Sequence, residues 1–288
     1  MSQAIWTIRE VMKTSKDYLT QKGISNSRLD VELLLSHALA VERIKLYTDF
    51  DRPLTIDERS AFKNLLYRRA NHEPVAHILG EAGFMGHIFK VTKDTLIPRP
   101  DTEILVELAL GYLPEGRPLS VLDIGTGTGC VGISLLKARQ SVEVESWDIC
   151  EKSLQVARFN AERLNVDSRY TLRIASALDE SSYKNRFDLI VSNPPYIAPN
   201  EKDEMDREVL KYEPHAALFG GSDGLIFYQC IARYCRSILS SSGRLVLEIG
   251  WKQAEDVKRI LSDNDYTDIE IHKDLNDRSR VITGIYKL

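Results

Sequence analysis

The sequence predicts a doubly wound α/β sheet, preceded by a small all-α domain and a β-hairpin linker. Three observations carry that expectation. From Pro118 onward, short apolar runs of strand type alternate with helical segments, the pattern of a layered sheet with helices on its faces. Those runs are apolar at successive positions, as parallel strands buried on both faces must be. Residues 1 to 70, by contrast, hold helical patterns and no strand run. The expected boundaries are a helical domain over 1–73, a hairpin linker over 74–100 and the α/β domain over 101–288.

In the first segment, "SNSRLDVELLLSHALAV" places Leu29, Leu33 and His37 at helical spacing after candidate caps at Ser25 to Ser27. His37 reads as a core histidine on that face. "TIDERSAFKNLLYRRA" opens with Thr55 and Glu58 in capping-box spacing and carries Phe62, Leu65 and Leu66 on one side. Arg68 and Arg69, at its end, are expected on the surface. Glycines at 80, 83 and 86 with β-prone flanks then predict a hairpin. The Pro98–Arg99–Pro100 punctuation precedes a helix from about Asp101 to Tyr112.

The α/β strands read as "SVLDIG", "VEVESWDI", "YTLRIAS", "FDLIVSN", "RLVLEIG", "DIEIHKD" and "RVITGIYKL", with helices near 130–139, 151–164, 225–239 and 253–262. The last two strands join through "LNDRS" without a helix, so an antiparallel pair is expected there. A sheet wound outward from its first strand in both directions places "FDLIVSN" beside "SVLDIG", with both carboxyl ends on one crevice.

Composition narrows the function classes. Of 288 residues, 43% are hydrophobic and 28% charged, the balance of a chain with a sizeable core. A net charge of -4 argues against retention on nucleic acid by bulk electrostatics. The four cysteines show neither paired metal spacing nor the density of a disulfide scaffold, so no metal is expected, and Cys230 and Cys235 read as buried free thiols. The N-terminus has no signal-type apolar region, and no run reaches the roughly 20 apolar residues of a membrane span. A reduced cytoplasmic setting is the expectation.

"VLDIGTGTGCVGISLL" is strand, glycine loop, helix. Gly125, Gly127 and Gly129 let the chain turn and a ligand approach its backbone. Asp148 ends the next strand about 20 residues on, where a carboxylate can accept both hydroxyls of a ribose. Cys130 replaces the third glycine of the dinucleotide fingerprint, and no Gly-Lys-Ser/Thr of a P-loop follows. Asp123, two residues before the loop, would set a negative charge near any phosphate. That suits S-adenosylmethionine, which has a sulfonium and an ammonium and no phosphate. The alternative is a tight strand–helix turn without a ligand.

"DLIVSNPPYIAP" ends a strand in an amide, two prolines and an aromatic. Prolines cannot donate to a ladder, so the strand stops, and Pro194 and Pro195 stiffen the backbone just beyond it. Asn193 then offers a fixed side-chain carbonyl and Pro194 a fixed main-chain carbonyl. Two rigid acceptors can hold both hydrogens of an NH2 group whose lone pair is delocalised, and aim it at an electrophilic methyl. Tyr196 is expected to lie against the substrate's flat face. The alternative is an ordinary turn.

A glycine loop followed by "NPPY" resembles the class I S-adenosylmethionine-dependent amino-methyltransferases. "GFMGHIFKVTKDTLIPRPDTE", "VLDIGTGTGCVGISLL", "IVSNPPYI", "YEPHAALFGGSDGL", "LVLEIGW" and "KDLNDRSRVITG" together resemble the release factor glutamine N5-methyltransferases, the HemK/PrmC family, over about residues 75–288. The resemblance implies a Rossmann-like class I methyltransferase fold and, as substrate, the glutamine of the Gly-Gly-Gln motif of class I peptide chain release factors. It implies that Gly125, Thr126, Gly127, Thr128, Gly129 and Asp148 hold S-adenosylmethionine with Asn193 also at the cofactor, and that Asn193, Pro194, Pro195 and Tyr196 receive the glutamine amide. Phe84 and the Pro98–Arg99–Pro100 segment would close over the site, with Phe84, Arg99 and Pro100 near the cofactor. Phe84 and Glu213 would stand near the substrate, Glu213–Pro214 supporting the "NPPY" loop. Ser176 and Ala177 depart from the acidic–aromatic pair usual beside the adenine, though a serine can still bond the adenine amino group.

Two rival functions remain at this level. A nucleic-acid amino-methyltransferase of the adenine-N6 type would use the same tetrapeptide, but should carry a basic, aromatic-rich region to grip a flipped base. A protein that is not an enzyme, a nucleotide-sensing or scaffold protein with a degenerate site, is the other. No direct nucleic-acid substrate is expected. The charged segment "PNEKDEMDREVLKY" (199–212) reads as a solvated loop or helix, or else as a docking surface by the substrate entrance.

Overall fold

A computed structural model describes residues 6–287. They form two compact units, one of the described residues up to Gly80 together with Arg207–Tyr212, the other of Glu81–Asp206 and the described residues from Glu213.

The first unit contains α1 (Ile8–Gln21), α2 (Ser27–Leu39), α3 (Lys45–Thr48), α4 (Ile56–Ala70) and α5 (Val75–Leu79), with α9 (Arg207–Tyr212) contributed from far along the chain. Thr55 and Glu58 form the expected capping box on α4, with Thr55 N–H to Glu58 at 2.8 Å and Glu58 N–H to Thr55 Oγ1 at 3.2 Å. Helix α2 also forms where expected but turns a different face inward. Its buried stripe is Ser27, Val31, Leu34 and Leu35, whereas Leu29 is 43% exposed and His37 is exposed, not a core histidine. A run of three leucines satisfies two helical stripes, and packing chose the one through Leu34 and Leu35.

Arg69 overturns a surface assignment. It is buried, with Nε 2.6 Å from Asp30 and Nη2 2.8 Å from Glu208. Both partners are remote in sequence, so helical periodicity could not reveal them. Arg68 is exposed as expected and pairs with Glu73. Residues 75–79, expected as part of a hairpin linker, are helix α5. Pro74 starts it and Gly80, in the left-handed conformation, stops it. The charged segment is split: 3₁₀ turns over Pro199–Glu204, then α9, whose Glu208 completes the buried ion-pair cluster.

In the second unit, β1 (Glu81–Phe84) and β2 (His87–Lys90) form the expected hairpin, turning at Met85 and Gly86 with φ of 48° and 73°. Then come α6 (Asp101–Gly111), β3 (Leu119–Ile124), α7 (Cys130–Ala138), β4 (Val142–Asp148), α8 (Glu151–Arg163), β5 (Tyr170–Ile174) and β6 (Phe187–Ser192). α10 (Ile226–Cys235), β7 (Leu239–Glu248), α11 (Ala254–Asp263), β8 (Tyr266–Lys273) and β9 (Ser279–Tyr286) complete the unit. The seven-stranded sheet has the order β5-β4-β3-β6-β7-β9-β8. β3 is parallel to β4 on one side and to β6 on the other, which is the outward winding expected. β9 is antiparallel to both β7 and β8. Apolar clusters fill both faces, one around Leu105, Ile133 and Val144, the other around Trp147, Tyr228 and Leu261. Cys235 is buried, but Cys230 is only half-buried, because it lies off the helix stripe of Tyr228, Ile231, Ala232 and Cys235 that packs inward.

Candidate active site

The change of winding direction beside β3 leaves a crevice at the carboxyl ends of β3, β4 and β6, and a cavity opens there. Backbone N–H groups of Gly125 and Thr126 both donate to Trp147 O at 2.9 Å, bending the loop across the end of β4. Gly129 starts α7 at φ 81°, where a Cβ would come within 2.8 Å of the Ile133 side chain. Gly125 and Gly127 line the cavity. Thr126 and Thr128 are buried beneath the loop: Thr126 donates to Asp123 at 2.6 Å, and Thr128 O accepts from Asn160.

Asp123 therefore does not present its charge to a ligand. It is 2% exposed, bonded by the hydroxyls of Thr126 and Ser146, and burial pushes its pKa up to about 6. A preference for a cationic ligand would need a different source. The cavity lining includes the carboxylates of Asp94 and Asp148 and no lysine or arginine, which disfavours a phosphate and accommodates a cation.

Asp148 lines the cavity at the end of β4. Its Oδ2 accepts from Gly127 N–H and its Oδ1 from Cys150 N–H, each at 2.9 Å. Burial raises its pKa, while these backbone bonds oppose that shift. A carboxylate has about four acceptor sites, so capacity for a hydroxyl remains beyond its backbone partners. Beside it, Ile149, Ala175, Ala177 and Phe227 supply an apolar wall. Ala177 lines the cavity; Ser176 does not, its Oγ accepting from Leu178 N–H at 3.2 Å.

Asn193, Pro194 and Pro195 line the same cavity just past β6. Asn193 Nδ2 donates to Thr102 Oγ1 at 3.1 Å, and Thr102 donates to Glu248 at 2.6 Å. With its nitrogen committed, the carbonyl end of the Asn193 amide is the one left for a ligand. Tyr196 departs from expectation. It packs against the buried cluster that includes Tyr228, with its hydroxyl 3.5 Å from Glu248, and is not among the lining residues.

The predicted closing residues are also placed differently. Phe84 is 2% exposed and packs edge-on against Phe89 in the core, so it cannot cover a ligand in this conformation. Arg99 pairs with Glu213, which also accepts from Ile97 N–H at 3.1 Å, while Pro100 precedes α6. Glu213 is thus a buried anchor for residues 97–99, and Asp94, Thr95 and Leu96 are the part of that segment that reaches the cavity. Pro214 lines it too.

Two family models match the chain: the PrmC N-terminal domain over residues 10–80 and the methyltransferase small domain over 102–222. The chain is 43% identical over 280 residues to a release factor glutamine methyltransferase of Geobacter sulfurreducens, with 97% of each chain covered. This chain belongs to the release factor glutamine methyltransferase family. It is also 38% identical to a bifunctional methyltransferase of Rickettsia felis, covering 96% of this chain and 58% of that protein. A methyltransferase structure from Pyrococcus furiosus superposes with a TM-score of 0.53 at 18% identity, covering 81% of this chain and 100% of that one, a likeness of fold alone. The fold is that of a class I methyltransferase, a mostly parallel central sheet with antiparallel final strands.

The residues that brace the family's "NPPY" loop here are not evident from the sequence. Thr102 and Glu248 anchor Asn193, and Gln253 Nε2 donates to Tyr196 O at 3.0 Å. Gly224 packs so closely that a Cβ would overlap the Tyr196 carbonyl oxygen. One signal was available. Asp123-Ile124-Gly125 and Glu248-Ile249-Gly250 share a pattern, an acid at a strand end two residues before glycine, and both acids prove to be buried organisers of neighbouring loops.

Proposed function

We propose that this protein transfers the methyl group of S-adenosylmethionine to the side-chain amide nitrogen, N5, of the glutamine in the Gly-Gly-Gln motif of class I peptide chain release factors. The observation that carries this reading is the Asn193 amide, tethered through its nitrogen beside a cavity lined by Gly125, Gly127 and Asp148. The name of the Geobacter sulfurreducens relative, matched end to end, supports the same substrate.

The residues present fit S-adenosylmethionine. Asp148 would hold the ribose hydroxyls, Ala177, Ile149 and Phe227 the adenine, and the Gly125–Gly127 backbone the methionine portion. When bound, it supplies an electrophilic methyl on a sulfonium and departs as the neutral thioether.

The chain's own part is to make a reluctant nitrogen reactive. A glutamine amide nitrogen has its lone pair delocalised into the carbonyl. Asn193 Oδ1 and the Pro194 carbonyl would each accept one of its hydrogens, which fixes its direction and favours pyramidal nitrogen. As the nitrogen–carbon bond forms and the sulfur–carbon bond breaks, positive charge grows on nitrogen and both hydrogen bonds strengthen. The methylated nitrogen is then acidic and loses its proton to water, so no strong base is required. The N-terminal helical domain would recognise the partner protein, and the work would be done in the cytoplasm, where translation terminates.

Mass spectrometry of a purified class I release factor, incubated with the protein and S-adenosylmethionine, tests this. One added methyl on the Gly-Gly-Gln peptide is expected. An unmodified peptide, with methyl transfer to adenine in nucleic acid instead, would overturn it.

A further inference from the structure

Asn193, Thr102 and Glu248 form a chain of hydrogen bonds leading away from the cavity into the sheet. Thr102 is 3% exposed and Glu248 is 1% exposed. A threonine hydroxyl has a single hydrogen, and an ionised carboxylate can only accept. While Glu248 is ionised, the Thr102 hydrogen points at it, at 2.6 Å, which leaves the threonine oxygen lone pairs to receive Asn193 Nδ2–H at 3.1 Å. The direction of the whole chain is decided at its buried end.

We infer that Glu248, acting through Thr102, is a positioning residue that holds the Asn193 amide carbonyl toward the substrate, a role resting on the reaction proposed above. A buried carboxylate is costly unless something requires it. The charge of Arg280 offsets part of that cost, while its own ion pairs go to Asp101 at 3.0 Å and Asp274 at 3.1 Å. The second Glu248 oxygen is 3.5 Å from the Tyr196 hydroxyl, so one carboxylate reaches both ends of the "NPPY" tetrapeptide.

Reversing the chain has a defined chemical consequence. A proton on Glu248 can be donated to Thr102, which frees the threonine hydrogen to seek an acceptor on Asn193. The amide then turns end for end and presents its NH2 group to the substrate's NH2 group. Two donors face each other and the glutamine loses its grip. The groups facing Glu248 are Thr102 and Asp101 on α6, Cys130 on α7, Tyr196 on the loop, Tyr228 on α10, whose hydroxyl donates to the Glu248 main-chain carbonyl, and Arg280 on β9. Burial is the largest influence on the carboxyl and pushes its pKa up to about 7, so the reversal falls within reach of ordinary buffers.

The test compares Thr102→Val, Thr102→Ser and Glu248→Gln with the wild type on a purified release factor. Thr102→Val keeps the shape and removes the hydroxyl. Its kcat should fall by about 10- to 100-fold, the usual result of a misaimed reacting group, with KM for the release factor and Kd for S-adenosylmethionine within about 3-fold. Thr102→Ser should restore most of the rate. The wild-type kcat should drop as pH falls below about 7, following the carboxylate form, and Glu248→Gln should flatten that limb. Equal kcat in Thr102→Val and wild type, or equal damage in the valine and serine variants, would overturn the inference while leaving the methyl-transfer reading intact. Absence of glutamine methylation by the wild type would instead overturn the proposed reaction and this inference with it.

Discussion

The Gly127 N–H group and the Asp148 carboxylate are joined by a 2.9 Å hydrogen bond that ties the glycine loop to the end of the neighbouring strand. The same carboxylate accepts from Cys150 N–H at its other oxygen, so it is oriented from both sides before any ligand arrives. Asp148→Ala should raise the dissociation constant for S-adenosylmethionine by about 10- to 100-fold, the loss expected when hydrogen bonds to a charged group disappear. Isothermal titration reads this directly, and an unchanged constant would show that the ribose is held elsewhere.

Asn193→Ala separates binding from chemistry. It removes one of the two proposed acceptors but none of the residues assigned to the nucleoside. Single-turnover methylation of a release factor should slow by about 100- to 1000-fold, as when a preorganised polar group is deleted from a reacting centre, with the cofactor dissociation constant preserved. A variant as fast as the wild type would remove Asn193 from the mechanism.

In the helical unit, the buried Arg69 holds the buried Asp30 at 2.6 Å and the half-buried Glu208 at 2.8 Å. Deleting the cation leaves Asp30 buried without its partner. Arg69→Met should cost about 3 to 5 kcal/mol in urea-induced unfolding, and Asp30→Leu in the same background should recover part of it. A loss no larger than that of a surface substitution would place this arginine outside the stabilising core.

Glu248 also predicts a pH dependence of stability. Burial raises its pKa from 4.5 to about 7. Between those values the folded chain holds a proton that the unfolded chain has released, so this group's contribution is fully present below pH 4.5. It is lost as pH rises through about 7. Glu248→Gln removes the group, so the variant should gain on the wild type between about pH 5 and pH 8 by on the order of 3 kcal/mol in chemical unfolding. A difference that stays constant with pH would mean that the carboxylate titrates as it does in water.

Much of this architecture is legible in the chain. Strand–helix alternation, the hairpin at Met85 and Gly86 and the capping box at Thr55 follow from local patterns, because each is specified by residues close in sequence, and the placement of β6 beside β3 follows from the winding of a parallel sheet outward from its first strand. The site is half legible. Asp148 and Asn193 sit at strand ends, where a motif and its place coincide. Arg69, Glu213 and Glu248 escape local reading because their partners lie far along the chain: Asp30 and Glu208, Ile97 and Arg99, Thr102. Phe84 and Tyr196 read as ligand contacts, yet both bury their rings in apolar clusters, which a large aromatic does wherever the core offers room.

The most direct measurement is a crystal structure of the protein with S-adenosylhomocysteine and a Gly-Gly-Gln peptide. The glutamine amide nitrogen should lie about 3 Å from both Asn193 Oδ1 and the Pro194 carbonyl oxygen, with its lone pair facing the sulfur. A glutamine bound with its carbonyl oxygen toward Asn193, or a sulfur walled off from that residue, would contradict the account.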